Sequence, residues 1–375
     1  MRSDLRILVL GGGNIGTVVA KDLAESLPSI EIVIADKKPS RIKEVKDNVS
    51  LVQLDASNHH ELVDTAKRFD LVIGALPGKI GYRSVKSCID AEVDMVDVSY
   101  MPENPLMLNQ DAVKAHVTVI PDCGLAPGLS SMLVGHAVSM LDQVENVHVT
   151  VGGLPKEPLP PLDYTITWSV NGLIDEYTRK ARIVENGKII EVETLSGLEK
   201  VEFPTVGELE AFYTDGLRTL LHTVKGVKSM WEKTLRYPGH AGKIRLLKAL
   251  GFFNEEPVEV DNISVPPRKV TAELFGKKLR RPEVRDMVVM KVDVGGVKEK
   301  VKTRYTYHLL DDYDEECGVT AMARTTAYPA SVVAQFLVQK SVEQKGVVPP
   351  EKLGMKENVF NKIMAELKKR EIKIV

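Results

Sequence analysis

Cysteine is scarce in this chain: three residues in 375, at Cys88, Cys123 and Cys317. Their number is odd, and no two have the spacing of a metal-ligand pair. A disulfide framework and a zinc site are excluded as organising principles, and a reducing, cytoplasmic setting is expected. An excess of basic charge is also lacking. The formal net charge of −2 and a pI near 6.5 offer no polybasic surface for nucleic acid or an anionic membrane. Long apolar runs are absent: a membrane-spanning helix needs about 20 such residues. The most apolar helical stretch, Leu129 to Leu141, is shorter and carries His136. The strand pattern begins by Arg6, so no signal peptide is expected ahead of it. His59 and His60 are adjacent, a spacing that rarely serves one ion, and no third ligand accompanies them, so no metal is expected. Repeats and low-complexity tracts are missing too. What remains is an ordinary globular composition, 43% hydrophobic, in a chain long enough for two domains.

The strongest positive signal is local. Arg6 to Leu10 is an apolar run of strand length, followed at once by Gly11-Gly12-Gly13-Asn14-Ile15-Gly16. A helical pattern then opens with Val18, Val19 and Leu23, and a second apolar run from Glu31 ends in Asp36. Strand, glycine loop, helix, strand and acid, in that order, form the fingerprint of a dinucleotide-binding unit. Gly11 lets the chain leave the strand sharply, Gly13 lets the backbone approach a pyrophosphate, and Gly16 allows close helix–strand packing. The helix N-terminus then faces the phosphates. Asp36 is expected to accept hydrogen bonds from the adenosine ribose and to repel a 2′-phosphate, which favours NAD. Lys37 and Lys38 pull the other way, since a lysine pair can hold a 2′-phosphate or simply line a solvated turn.

Over the first 122 residues, short apolar runs alternate with helical patterns. Further strands are expected at 50–54, 70–73, 94–98 and 117–120, with helices such as 84–91 and 109–115 between them. That is the pattern of a Rossmann-type doubly wound parallel sheet, with its ligand crevice at the strand C-terminal ends. Loops there carry Asp55 and Ala56; Gly74, Ala75, Leu76 and Pro77; Ser99, Tyr100 and Met101; and Asp122 through Gly128. Beyond residue 122 the pattern becomes that of an α+β domain with a largely antiparallel sheet. Hairpins are expected at 181–192, turning at Asn186-Gly187, and at 287–308, where the strand patterns flank Gly295-Gly296. A helical pattern resumes at Thr326. The expected division is 1–122 for the dinucleotide domain, 123–325 for a substrate and dimerisation domain, and 326–375 for a helical segment returning to the first.

Four stretches together resemble one family. They are Val72 to Gly78, Asp94 to Glu103, Pro121 to Gly128, and Thr234 to His240 with its Arg236-Tyr237-Pro238-Gly239-His240 core. They are similar to the saccharopine dehydrogenase-like family, and above all to its L-lysine 6-dehydrogenase branch of archaeal type. The likeness extends over nearly the whole chain. It implies an α/β fold in which a catalytic domain is inserted after a Rossmann domain, a homodimer, and NAD-linked oxidation of an amine. For lysine, the 6-amino group would leave as ammonia, and the resulting 2-aminoadipate 6-semialdehyde would cyclise to piperideine 6-carboxylate. Saccharopine or carboxynorspermidine is the alternative substrate, and an NAD-sensing protein without turnover is the non-enzymatic alternative.

The chemistry is compatible with the residues. An amine must be neutral to lose a hydride from the adjacent carbon. Neutralising a free lysine amine at pH 7 costs about 4.6 kcal/mol from a reference pKa near 10.4. A site must therefore desolvate the amine or offer a base. His240 is a candidate as a group titrating near neutrality, or else a residue that tunes the helix start. Asp122 is a candidate facing the amine, or else a brace for the loop after it. Asp97 is a similar candidate, or else an N-terminal cap or turn residue. Arg236, with the helix that follows it, is a candidate for a substrate carboxylate, against the reading of a surface arginine. Tyr100, Met101, Trp168 and Tyr237 are candidate pocket residues. Cys123 is expected to be a small apolar neighbour, because amine oxidation needs no thiol nucleophile. Asn171 stands where the family often carries Arg, which leaves one possible carboxylate contact in doubt.

Overall fold

The computed structural model describes residues 5–42 and 46–375, and the chain divides into two compact units. Of the described residues, the first comprises 5–42, 46–142, 218–223 and 323–373. Its centre is a parallel sheet of β1 (Arg6–Leu10), β2 (Glu31–Asp36), β3 (Val49–Gln53), β4 (Leu71–Gly74), β5 (Asp94–Asp97) and β6 (Thr118–Ile120). A two-residue strand, Gly346–Val347, extends it beyond β6. From that edge the order is β6-β5-β4-β1-β2-β3. The order reverses between β1 and β4, so the loops after these two strands flank the switch point at which such sheets bind ligands. Ile7 to Leu10 are all fully buried, as a strand covered on both faces requires.

The boundaries of this unit differ from those read off the sequence. Residues 123–142 belong with the parallel sheet rather than with the second unit. The reason is the helix Leu129–Ser139, whose residues from Leu129 to Gly135 are all buried. It packs on the short helix Pro350–Gly354 through two glycines. A Cβ on Gly135 would stand 2.1 Å from the Glu351 carbonyl oxygen, and one on Gly354 would stand 2.0 Å from that of Met132. The helix Ala321–Val338 joins the first unit from Ala323 onward, and the final helix, Glu357–Lys369, is part of it. Asp22, on the helix after the glycine loop, receives hydrogen bonds from Ser331 and from Arg370 at 2.7 Å.

The second unit comprises residues 143–217, 224–322 and 374–375. Its strands are β7 (Gln143–Pro155), β8 (Ala181–Glu185), β9 (Lys188–Val192), β10 (Glu199–Phe203), β11 (Gly207–Tyr213), β12 (Ser229–Arg236), β13 (Val258–Val260), β14 (Ile263–Val265), β15 (Asp286–Lys298) and β16 (Val301–Asp312). The main sheet runs β10-β11-β12-β7-β15-β16, with β8 and β9 attached at β12; every pair is antiparallel except β7 with β12. The β8–β9 turn uses Asn186 and Gly187, both at positive φ. The second hairpin departs from expectation. Its turn is Glu299-Lys300, at φ of 50° and 67°, and Gly295-Gly296 lie within β15. The register with β7 shifts at those glycines, so they mark a bulge rather than a reversal. Among the described residues no helix is long and apolar enough to cross a membrane, and no cluster of His, Cys, Asp or Glu could hold a metal ion.

Candidate functional site

The glycine loop in the first unit divides its labour as the fingerprint requires. Gly11 sits at φ 98°, and a Cβ there would lie 2.5 Å from the Ala75 carbonyl oxygen. A Cβ on Gly16 would lie 1.9 Å from the carbonyl oxygen of Gly11. Gly13 is different: nothing stands within 4 Å of where its Cβ would be. Two glycines are thus demanded by the protein's own packing, while the middle one borders open space. The helix Asn14–Ser26, which contains Ile15, starts there with no side-chain cap bond and no acid in its first turn. Its backbone donors and dipole therefore suit an anion. A dinucleotide pyrophosphate fits this cradle.

The residues expected to face the ribose lie at or just after the ends of β2 and β3. Asp36 accepts hydrogen bonds from the backbone N–H of Gly12 at 2.8 Å and of Lys38 at 2.7 Å, which fixes its carboxylate beside the loop. The Lys37 ammonium lies 2.9 Å from Asp55. Asp55 also accepts from the Ser57 N–H at 2.9 Å and from its hydroxyl, and Ser57 together with Lys37 pulls the Asp55 carboxyl down to about 2. Ala56, between them, is buried.

The loops after β4 and β5 interlock. A Cβ on Gly74 would come within 2.0 Å of Asp97 Oδ2, so this position must be glycine. Ala75 donates its N–H to the Leu10 carbonyl at 2.8 Å, Leu76 packs against the apolar core, and Pro77 precedes the helix Gly78–Asp90. Ser99 donates to Asp97 from both its N–H and its hydroxyl, at 2.9 Å each. Tyr100 is half-buried. Met101, expected to line a substrate pocket, is fully buried within the apolar core of the sheet.

Three acids and one base lie deeper in this unit. Asp122 follows β6 at φ 53° and is buried, with Arg218 Nε 3.3 Å from its Oδ2. Arg218 Nη2 also donates to the Glu103 carbonyl at 3.0 Å. Burial pushes Asp97 up to about 7 against the opposing hydrogen bonds of Ser99, and the charge of Asp122 adds to the rise. Glu351 is raised to about 6, again by burial. Cys123 is fully buried and its thiol is pushed up by that burial, the opposite of an activated nucleophile.

The second unit holds the Arg236-to-His240 segment. Arg236 is buried: Nη2 donates to Glu176 Oε1 at 2.9 Å, Nη1 donates to the Leu235 carbonyl, and the guanidinium lies 4.5 Å over the Tyr164 ring. The helix His240–Ala249 presents its N-terminal donors to Glu210, which accepts from Gly239 N–H at 2.9 Å and from Ala241 N–H at 2.5 Å. Both features expected to receive a substrate carboxylate therefore hold carboxylates of the chain itself. His240 is fully buried between two partners. A carbonyl can only accept, so Nδ1–H donates to Leu162 O at 2.7 Å and Nε2 accepts from the Tyr177 hydroxyl at 2.8 Å. Burial, then the charge of Arg236, pushes its pKa down to about 3. His240 thus departs from the expectation of a group titrating near neutrality; it is a neutral ring with both nitrogens occupied. The Tyr237 hydroxyl donates to the carbonyls of Pro155 and Lys156 at 2.8 and 3.0 Å. Trp168 donates to the Tyr164 hydroxyl at 3.2 Å and packs over Gly172, where a Cβ would meet its ring at 2.5 Å.

Sequence reasoning did not single out Arg218, Glu351, Glu176 or Glu210. The pairing of Glu210 was open to inference only through strand register, since β11 sets it opposite Arg236.

Two family models match consecutive parts of the chain. A family model described as "Saccharopine dehydrogenase NADP binding domain" matches residues 7–120, and one described as "Saccharopine dehydrogenase C-terminal domain" matches residues 124–372. Mitochondrial alpha-aminoadipic semialdehyde synthase of Mus musculus is 25% identical over 98% of this chain, but the match takes in 47% of that protein. The chain thus spans about half the length of that relative. Saccharopine dehydrogenase [NADP(+), L-glutamate-forming] of Saccharomyces cerevisiae is 22% identical over 96% of both chains. Carboxyaminopropylagmatine dehydrogenase of Synechocystis is 22% identical over 93% of this chain and 92% of that one. The crystal structure of apo saccharopine dehydrogenase (L-Glu forming) from Saccharomyces cerevisiae superimposes with a TM-score of 0.77 at 19% identity, covering 99% of each chain, and so shares the fold.

Proposed function

The chain belongs to the saccharopine dehydrogenase family of NAD(P)-dependent amino-acid dehydrogenases, and on that premise we propose that it oxidises the 6-amino group of L-lysine with NAD. Carbon 6 gives up its hydride, water adds to the resulting imine, and the products are ammonia and 2-aminoadipate 6-semialdehyde, which cyclises. One observation carries the choice of substrate: the cations and helix donors of the Arg236 segment are neutralised by Glu176 and Glu210. Saccharopine, with three carboxylates, calls for several uncommitted cations. Lysine carries one carboxylate and two amino groups, a net positive charge that suits a site rich in acids.

Gly11 to Gly16, Asp36 and the Gly74–Pro77 loop would hold a nicotinamide dinucleotide, which would supply the acceptor for the hydride. Asp36 supports NAD, because its carboxylate is pinned beside the loop and a 2′-phosphate would be repelled there. Asp122 stabilises the positive charge that grows on the substrate's carbon–nitrogen bond, the electrostatic work of an oriented ionic group in a dry site. Asp97, raised to about 7, is matched to take up a proton at neutral pH. His240 plays no part in proton transfer; it positions Tyr177 and Leu162.

The test is a panel of amines read by NADH or NADPH absorbance. Lysine-dependent reduction of NAD, with saccharopine and carboxynorspermidine inert, is the expected result. Faster turnover of saccharopine than of lysine would overturn the proposal in favour of the alternative, and no turnover of any amine would favour a nucleotide-sensing role.

A further inference from the structure

The segment Arg218–Thr223 lies in sequence between β11 and β12, yet it is part of the unit built on the parallel sheet. It delivers one guanidinium and two hydroxyls to a place crowded with acids. Thr219 and Thr223 donate to the two oxygens of Glu351 at 3.1 and 2.6 Å. Arg218 meets Asp122 at 3.3 Å with both side chains 1% exposed. Asp97, Asp122 and Glu351 are buried together, and their charges act on one another. Buried like charges cannot all remain ionised, and the group in direct contact with a cation keeps its charge most easily. Asp122 is that group. It also sits at positive φ, a conformation that costs a non-glycine residue free energy and persists only where its surroundings hold it.

We propose that Arg218 is a positioning residue: it holds the Asp122 carboxylate ionised and in one orientation at the C-terminal edge of the parallel sheet. The inference rests on the reading of Asp122 as the group that faces the amine. The groups whose charges couple to Asp122 include Asp97 from the end of β5, Cys123 from the loop after β6, Glu351 from the helix Pro350–Gly354, and Arg218 itself. Asp97 and Glu351, without direct contact to the guanidinium, are raised mainly by burial and in smaller part by the charge of Asp122. Arginine suits the task better than lysine because Nη2 is anchored on the Glu103 carbonyl at 3.0 Å, which fixes the plane in which Nε meets the carboxylate.

The test has an arm that needs no turnover. Infrared difference spectra of the full chain, titrated in pH, give the carboxyl band that disappears in Asp122→Asn. In Arg218→Gln that band should titrate about 1–3 units higher than in wild type, the usual effect of removing an arginine from a carboxylate. An unchanged titration overturns the inference. In the kinetic arm, Arg218→Gln should move the acid limb of kcat/KM alkaline by the same amount with NADH affinity kept. Arg218→Lys, which preserves charge and guards against a folding failure, should leave the limb in place and lower kcat by about tenfold. A defect confined to KM in both variants would make Arg218 a direct substrate contact and refute the positioning role. Should wild type oxidise no amine, the functional reading falls while the infrared arm still decides this one.

Discussion

Arg236→Ala offers a sharp test of the site geometry, because structure and sequence lead to different expectations for it. A substrate-binding arginine would raise the lysine KM about tenfold or more and leave the fold intact, a charge-assisted pair being worth roughly 1.5–3 kcal/mol. The structure instead buries the guanidinium at 2% exposure against Glu176, itself 8% exposed, at 2.9 Å. Burial pushes the Glu176 carboxyl up and Arg236 opposes it, so truncating the arginine strands a buried acid. Breaking such a pair from one side costs about 3–5 kcal/mol. For a unit of this size each kcal/mol moves Tm by about 2–4 °C, so a fall of roughly 6–20 °C is expected. Glu176→Gln combined with Arg236→Met should cost clearly less than the two changes summed, since no lone charge remains. Differential scanning calorimetry on Arg236→Ala and on the four proteins of the Glu176→Gln/Arg236→Met cycle measures both quantities. Additive losses, or an Arg236→Ala protein with wild-type Tm and a raised lysine KM, would refute the structural pairing and restore Arg236 to the substrate site.

Three further outcomes follow from the first unit. Gly13→Ala has room in the protein and should leave Tm within about 1 °C, yet weaken NADH binding by tenfold or more by filling the pyrophosphate's space; Gly16→Ala, whose Cβ meets Gly11 O at 1.9 Å, should damage both, and NADH fluorescence titration beside thermal melts separates them. Asp55→Ala frees Lys37 and removes an acid, so the NADP-to-NAD affinity ratio should rise about two- to fivefold, the range of an exposed ion pair; Asp36→Ala should raise it further, and a ratio unmoved by either would remove both from cofactor choice. Asp97, raised to about 7 from an unfolded value near 3.9, binds its proton more tightly when folded, so its contribution to stability is full below about pH 4 and is lost as pH rises toward 7. Asp97→Asn lacks that loss, so its Tm relative to wild type should climb between pH 4.5 and 7.5; a flat difference would show that Asp97 does not titrate there.

The fold was legible where structure is local. A glycine loop between two apolar runs and an acid at the end of the second need only sixteen to thirty-six residues of context, and the packing around Gly11, Gly13 and Gly16 repeats what their spacing implies. The bulge at Gly295-Gly296 shows the limit of local reading. Glycine pairs serve turns and bulges alike, and the choice was made by the twelve-residue register between β15 and β16, which carries the strands past the glycines to Glu299-Lys300. Burial tells a similar story for Met101: an apolar residue in a strand-end loop lines a pocket or fills a core, and only the packing of the sheet decides.

The site was less legible than the fold, because its charges are paired over long sequence separations. Arg218 meets Asp122 across 96 residues, Arg236 meets Glu176 across 60, and Glu210 reaches the N-terminus of the helix at His240 from a strand about thirty residues earlier. Motif reading identifies residue types able to bind a carboxylate; it cannot tell whether the chain has already supplied one. In this protein it has, twice, in the second unit. The consequence for specificity is physical. An arginine and a helix start that are internally satisfied add little attraction for a polyanionic substrate, because displacing Glu176 or Glu210 would leave a buried acid without its partner. In the first unit the balance runs the other way, with Asp97 and Glu351 gathered around the Asp122–Arg218 pair. Acids in excess at the strand ends favour a substrate whose reacting group is an amine, and favour it most as positive charge develops on the carbon–nitrogen bond.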